Sequence, residues 1–280
     1  MSNYFQKDGK QSVTFVPSLV DLYQYMADND DRLPNDTHSD IISDQRTQFT
    51  GTKTFQDALG LAEYGWDNRK TVSKIANQLE VTSNAQIKQS TTTMAVAGSY
   101  VDIGTYMSGD PNCMVEFEEQ DSPKTIRVGF NISSSANTNK TAFHCRGAIV
   151  LALLAKLAES GYSTEIIVYE SCASYGDHTH TDAFVLKASD SFMDEDSISF
   201  WCSHPSALRR LMFRMNECNN DATRVQFGFG GGSYGMPCYL ENNNLASETL
   251  NLDINVDFKG NTIKSAVQYL DGLVDQINEL

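Results

Sequence analysis

The stretch that most constrains this chain runs from Thr125 to Tyr169. Thr125-Ile126-Arg127-Val128-Gly129-Phe130 reads as a strand, residues 141–159 as a helix and Glu165-Ile166-Ile167-Val168-Tyr169 as a second strand. The second strand is almost wholly apolar, the mark of a parallel strand covered on both faces. The helix places Ala142, Arg146, Ile149, Leu153 and Leu157 on one stripe, apolar except at Arg146, and Gly161 stops it. Strands alternate with helices along the chain that follows. This predicts an α/β fold, a three-layer, mostly parallel, Rossmann-like sheet. Such a sheet places its ligand site beyond the carboxyl ends of its strands. Attention therefore falls on the loop after the first strand, Asn131-Ile132-Ser133-Ser134-Ser135.

The flanking segments are read by the same rules. Residues 1–92 are polar and mainly helical, and residues 93–280 carry the α/β domain. Leu19, Val20, Leu22, Tyr23 and Met26 form a short helical stripe, and residues 28–50, rich in Asp, Asn, Ser and Thr, read as a long loop. Thr54 caps a helix supported by Asp57 and ended by Gly65, and a second helix runs from Asp67 through Leu79. Strands are predicted at Met94–Val96, Tyr100–Ile103 and Met114–Phe117. Further strands follow at Phe184–Leu186, Ile198–Trp201, Val225–Phe229 and Leu250–Val256. Pro205 opens a helix reaching about Glu217, and Ala266, Leu270, Leu273, Val274 and Ile277 line the closing helix from Thr262.

Charge narrows the function classes. A formal net charge of −15 opposes general nucleic-acid binding and anionic membrane surfaces. Arg209, Arg210 and Arg214 are the one candidate basic patch, or else a solvated, ion-paired helix face. Six cysteines without a Cys-x-x-Cys pair suggest buried free thiols in a reducing compartment. The amino terminus lacks a charged-then-apolar leader pattern, and the apolar run around Ala148–Leu157 is short and broken by Lys156. The expectation is a cytoplasmic protein that does not touch membrane.

Three segments carry possible chemistry. In the first, Asn131, Ser133 and Ser135 present oxygen donors suited to a hard cation, Mg²⁺ or Ca²⁺, with Asp190 or Asp177 to supply charge from another strand end. The same serines could instead cap the helix and satisfy loop backbone. In the second, His178, His180 and Asp182 alternate, so on a strand they share a face and could hold Zn²⁺ or a similar ion; otherwise they form a polar hairpin loop. In the third, Gly228–Gly235 follows a strand, but no Walker lysine is present and Met236-Pro237 interrupts any helix. Gly230, Gly231 and Tyr234 remain as candidate binding residues of a close-packed loop. No Gly-x-Ser-x-Gly elbow exists, and His144 beside Cys145 on a helix is poor geometry for a thiolate–imidazole pair.

Asn131-x-Ser133-x-Ser135 resembles the Asp-x-Ser-x-Ser metal-ion-dependent adhesion loop of von Willebrand factor A (VWA) domains, with asparagine in place of the leading aspartate. Several phrases are similar to a family of tailed-bacteriophage proteins with a VWA-like carboxyl-terminal domain. These are Gly51-Thr52 with Ala58-Leu59 and Gly65-Trp66; Val96-Ala97-Gly98 with Asp102; Gly109-Asp110-Pro111 with Cys113-Met114; His204-Pro205 with Arg209-Arg210 and Phe213; and Tyr234–Pro237. The resemblance implies a ligand-binding module in which Ser133 and Ser135 contact a cation and Asn131 replaces the acidic ligand.

Three functions stay open on this reading. One is a non-enzymatic interaction module of a bacterial virus, docking a host or viral protein over Asn131–Ser135 and Gly228–Gly235 in the host cytoplasm. The second is a metal-dependent hydrolase or nuclease built on His178, His180 and Asp182, loaded with Zn or Mn. The third is a virion structural protein.

Overall fold

The computed structural model describes residues 3–7, 11–33, 37–40, 44–66, 69–87, 93–96, 100–101, 103–116, 124–173, 179–192, 194–219, 236–237 and 249–280. In chain order the amino-terminal part gives β1 (Asn3–Lys7), β2 (Gln11–Val16), α1 (Leu19–Asp28), α2 (Asp44–Thr50), α3 (Phe55–Tyr64) and α4 (Arg69–Thr82). A short excursion follows: β3 (Thr93–Ala95), β4 (Tyr100–Val101), α5 (Ile103–Met107) and β5 (Met114–Glu116). Then come β6 (Thr125–Asn131), α6 (Lys140–Glu159), β7 (Ser163–Ala173), β8 (Thr179–Lys187) and α7 (Glu195–Ser203). A π-helical segment, Ala207–Met212, runs into α8 (Phe213–Glu217); β9 (Met236–Pro237), β10 (Ile254–Val256) and α9 (Ile263–Glu279) complete the order.

The protein is α/β, and its main sheet is mixed, in the order β1-β2-β8-β7-β6-β10 with β9 beside the end of β7. β6 pairs with β7 and with β10 in parallel, and β2 pairs with β8 in parallel. Five residues separate β7 from β8, and β8 runs antiparallel to β7, as so short a connection requires. Val16, Val128, Phe130, Val168 and Phe184 share one apolar cluster with α1, α3, α4, α6, α7 and α9. On the opposite face Ile167, Tyr169 and Ala183 pack against Leu250, with Phe15, Val185 and Leu252 at the margin. Among the described residues α1, α3, α4, α6, α7 and α9 pack on one face of the sheet, and the short helical stretch at residues 249–250 brings Leu250 to the other.

The boundary expected at residue 92 does not divide two cores. β2 sits inside the sheet, and Leu22, Met26, Phe55, Val72 and Leu79 belong to the same cluster as the α6 residues. β3, β4 and β5, expected as sheet strands, form a separate small sheet, with β5 between its neighbours.

Local chemistry explains the elements. Ser18 caps α1, and Thr54 with Asp57 makes a reciprocal capping box on α3, which Gly65 ends at φ 101. The segment Ile198–Trp201, expected as a strand, is helical: Asp194 caps α7 through the Asp196 N–H, and Ile198, Trp201 and Cys202 recur at helical spacing and are buried. Leu250–Val256 narrows to β10, because Asn251 turns left-handed at φ 49. Asp28–Thr50, expected as loop, contains a 3₁₀ turn at Asp30–Arg32 and α2. The strand expected at Val225–Phe229 lies outside the described residues.

α6 is long and apolar enough to cross a membrane by composition, but 72% of its apolar window is buried by the protein itself. Its partners are α4, α7, α9 and β7. At Gly147 the side chain of Ser203 occupies the space a Cβ would need, so α7 crosses α6 at close range.

Candidate functional site

The carboxyl end of β6 is where the sequence placed a binding loop. The last rung of the β6–β7 ladder is the Ile132 N–H donating to the Tyr169 carbonyl at 2.8 Å. Beyond it the β6 chain leaves the sheet, and the inward edge of β7 at Ser171 would stand bare. Ser133 fills the gap: its Oγ donates to the Ser171 carbonyl at 3.0 Å and accepts from the Ser171 N–H at 2.8 Å. One hydroxyl thus supplies a further rung. Asn131 Oδ1 accepts from the Ser133 N–H at 2.9 Å, and both residues are buried. β9 then takes the place beside β7 at Cys172 and Ala173.

Two guanidinium groups close the loop from the helix side. Arg146, the one cation in the α6 stripe, donates to the Asn131 carbonyl and to Ser134 Oγ, with its guanidinium over the Phe130 ring at 5.3 Å. Arg209 donates to the carbonyls of Ser135 and Phe49 at 3.0 and 2.6 Å. Ser135 is exposed, its Oγ 3.3 Å from Thr138 Oγ1.

A divalent cation does not fit this donor set. Ser133 and Asn131 spend their side-chain oxygens on backbone N–H and carbonyl groups, and Arg146 already brings positive charge to the loop. Asp190 cannot complete the site. It is exposed in the turn after β8, and the antiparallel run of β8 puts that turn beside the start of β7, at the far end of the sheet. The expectation that Asn131, Ser133 and Ser135 face outward together is corrected: only Ser135 does.

His180 and Asp182 do share a face, but not on a hairpin loop. They lie within β8 and are fully buried. His180 Nδ1 is 2.7 Å from Ser12 Oγ, and Nε2 is 3.2 Å from Asp182 Oδ1. Asn219 Nδ2 lies 3.1 Å from the same Nε2, so both ring nitrogens are engaged inside the protein. Asn219 Nδ2 donates to both Asp182 oxygens at 3.2 Å, while its Oδ1 accepts from Thr14 Oγ1 and Tyr25 OH. On the neighbouring strand, burial, and then the Asp182 charge, push the Glu170 carboxyl up to about 8, so it is protonated at neutral pH. Asn216 Nδ2 donates to it at 2.8 Å.

A hydroxyl, an imidazole and a carboxylate in line are the parts of a nucleophilic relay. Ser12 is only 4% exposed, however, so its oxygen does not meet solvent. The relay serves as a sealed polar joint between β2, β8 and the end of α8. His178, the third member of the expected ligand set, lies outside the described residues, as do Asp177, Gly230, Gly231 and Tyr234. Among the described residues no three His, Cys, Asp or Glu side chains converge on a point able to hold a metal ion. Ser12, Glu170 and Asn219 were not singled out by sequence, because their partners lie far along the chain. The signal available was the His180-x-Asp182 alternation, which demanded a polar partner on its own face.

The arginine group is also reassigned. Arg209, Arg210 and Arg214 are buried rather than a solvated face, and Arg210 donates to the carbonyls of Ser39, Thr52 and Lys53. The free thiols Cys145, Cys172, Cys202 and Cys218 are buried, and burial pushes Cys218 up to about 12.

The surface adds one more feature. On the excursion, Val96, Val101, Ile103, Tyr106 and Met107 are exposed, Ile103 at 74% and Met107 at 79%. Ile103, Tyr106 and Met107 fall at i, i+3 and i+4 of α5, one apolar stripe turned outward.

No curated protein and no solved structure matches the chain. The family model described as a domain of unknown function (DUF7192) matches residues 5–275, nearly the whole chain, and the protein belongs to that family.

Proposed function

We propose that this protein is a non-enzymatic protein-interaction module whose docking surface is the β3–β4–α5–β5 excursion. The observation that carries the reading is the outward apolar stripe of Ile103, Tyr106 and Met107, joined by Val101. Exposed apolar side chains gathered on one small element mark contact surfaces. The partner is a protein with an apolar groove, rimmed by Lys and Arg to complement a chain of net charge −15. The phrases shared with tailed-bacteriophage proteins support a viral setting, with a host or viral partner in the host cytoplasm. The β6–α6–β7 unit supports kinship with Rossmann-like and VWA-like domains, although β8 is turned against the parallel direction. The metal-hydrolase reading is not favoured, because His180 and Asp182 are occupied by Ser12 and Asn219 inside the protein.

The test is affinity capture by full-length protein from infected-cell extract, comparing wild type with Ile103→Asp/Met107→Asp and with Ser135→Ala. The reading expects a stoichiometric protein lost only with the α5 variant, and recovered more weakly at high salt. Unchanged recovery with the α5 variant overturns it.

A further inference from the structure

Three arginines occupy neighbouring turns of the helix running into α8, and two of them spend their donors on loop carbonyls: Arg209 on Phe49 and Ser135, Arg210 on Ser39, Thr52 and Lys53. Arg214 is different. It is 6% exposed, and its Nε and Nη1 have no hydrogen-bond partner among the described residues. The nearest acids, Asp30 at 3.6 Å and Asp40 at 3.7 Å, stand beyond hydrogen-bond range. Its guanidinium lies over the Phe55 ring at 4.3 Å.

Arg214 forms part of the wall of a cavity of about 330 Å³ between α1, α3 and α8, where Tyr23, Met26, Ala27, Phe55, Leu59 and Asp30 are among the other lining residues. Burial, followed by the Glu63 charge, pushes the Tyr23 phenol up to about 12, with the neighbouring Trp201 side chain acting in the opposite sense. Folded proteins rarely leave buried donors unmet, and each unmet donor is destabilising. A mainly apolar cavity of this size with a few convergent polar groups has the character of a small-molecule site.

We propose that this cavity binds a small monocarboxylate with an apolar body. The carboxylate sits on Arg214, and the body lies against Met26, Phe55 and Leu59. Asp30 and Asp40 are 69% and 53% exposed and screened by water, so the buried guanidinium keeps attraction for one carboxylate, while the two acids oppose the double charge of a phosphate. The Asp30 side chain is 69% exposed and is free to turn into water as the ligand enters.

Octanoate and 1-octanol, titrated calorimetrically into the full-length protein, test the site. Octanoate binds at one per chain and about tenfold or more tighter than 1-octanol, the discrimination one charge-assisted pair supplies. Arg214→Met abolishes that preference. Ala27→Phe, which fills the cavity from an exposed helix position, abolishes binding of both and leaves the ligand-free melting temperature near wild type. Equal affinity for the two probes, absence of octanoate binding, or full octanoate binding by Ala27→Phe overturns the proposal. The last arm holds even where Arg214→Met fails to fold.

Discussion

Ser133→Ala separates a structural serine from a ligand-binding one. In the folded protein the Ser133 hydroxyl holds both the N–H and the carbonyl of Ser171, in a place that is 3% exposed. Alanine removes both bonds and supplies no replacement, and the buried backbone groups stay dry. At about 1–3 kcal/mol for each group left unmet, partly relieved by local relaxation, the loss is about 2–4 kcal/mol. For a chain of this size that lowers the melting temperature by roughly 5–15 °C. Ser135→Ala, one alternate residue along, removes only an exposed contact to Thr138 and changes stability by less than about 0.5 kcal/mol. Urea unfolding of the two variants beside wild type, with the slope checked for constancy, is the assay. Equal midpoints for Ser133→Ala and wild type, or equal losses for the two variants, refute the idea that Ser133 extends the sheet.

Three further expectations follow the same logic. The Glu170 carboxyl is raised from 4.5 to about 8 by burial and then by Asp182, so the folded state holds its proton where the unfolded chain releases it. The stability this confers is complete below about pH 4.5 and declines through pH 8, by a few kcal/mol; Glu170→Gln flattens that decline in pH-dependent unfolding. His204 moves the other way, lowered to about 4 chiefly by burial and then by Lys140 and His144. Stability is therefore lost as pH falls from about 6.5 toward 4, and His204→Phe, able to keep the stack on Phe200 at 5.3 Å, removes that acid limb. Gly51 has φ +83 and a hypothetical Cβ 2.9 Å from the His204 ring, so Gly51→Ala costs about 1–3 kcal/mol in unfolding measurements.

Much of the frame was legible because its signals are local. Thr54 and Asp57 announce α3 from three residues apart, and Ala266, Leu270, Leu273, Val274 and Ile277 announce α9 by periodicity alone. The β6–α6–β7 unit follows from apolar runs and Gly161. Ile198–Trp201 was misread because four apolar residues satisfy a strand and a buried helix alike; the deciding cue was Asp194 followed by Glu195 and Asp196, a capped acidic first turn. Thr179–Asp182 looked like a loop because polar residues seldom fill a core strand. Their partners, Ser12 and Asn219, lie 168 and 39 residues from His180, which no local pattern reveals. Arg209 and Arg210 were misjudged for the same reason, since the carbonyls they hold lie at residues 39–53 and 135. Arg146 was the exception: a cation inside an apolar stripe marked the tip that it closes.

The placement of β2 has a bearing on how the molecule is made. Its parallel neighbour is β8, and the Ser12–His180 bond spans 168 residues. A ribosome adding about 5–20 residues each second needs roughly ten to thirty seconds to cover that distance. Throughout that interval the newborn amino-terminal hairpin has no sheet to join, and its unpaired edge is open to other chains or to a holdase chaperone. Nascent fragments released before residue 187 should therefore be captured or degraded rather than accumulate as a folded amino-terminal half.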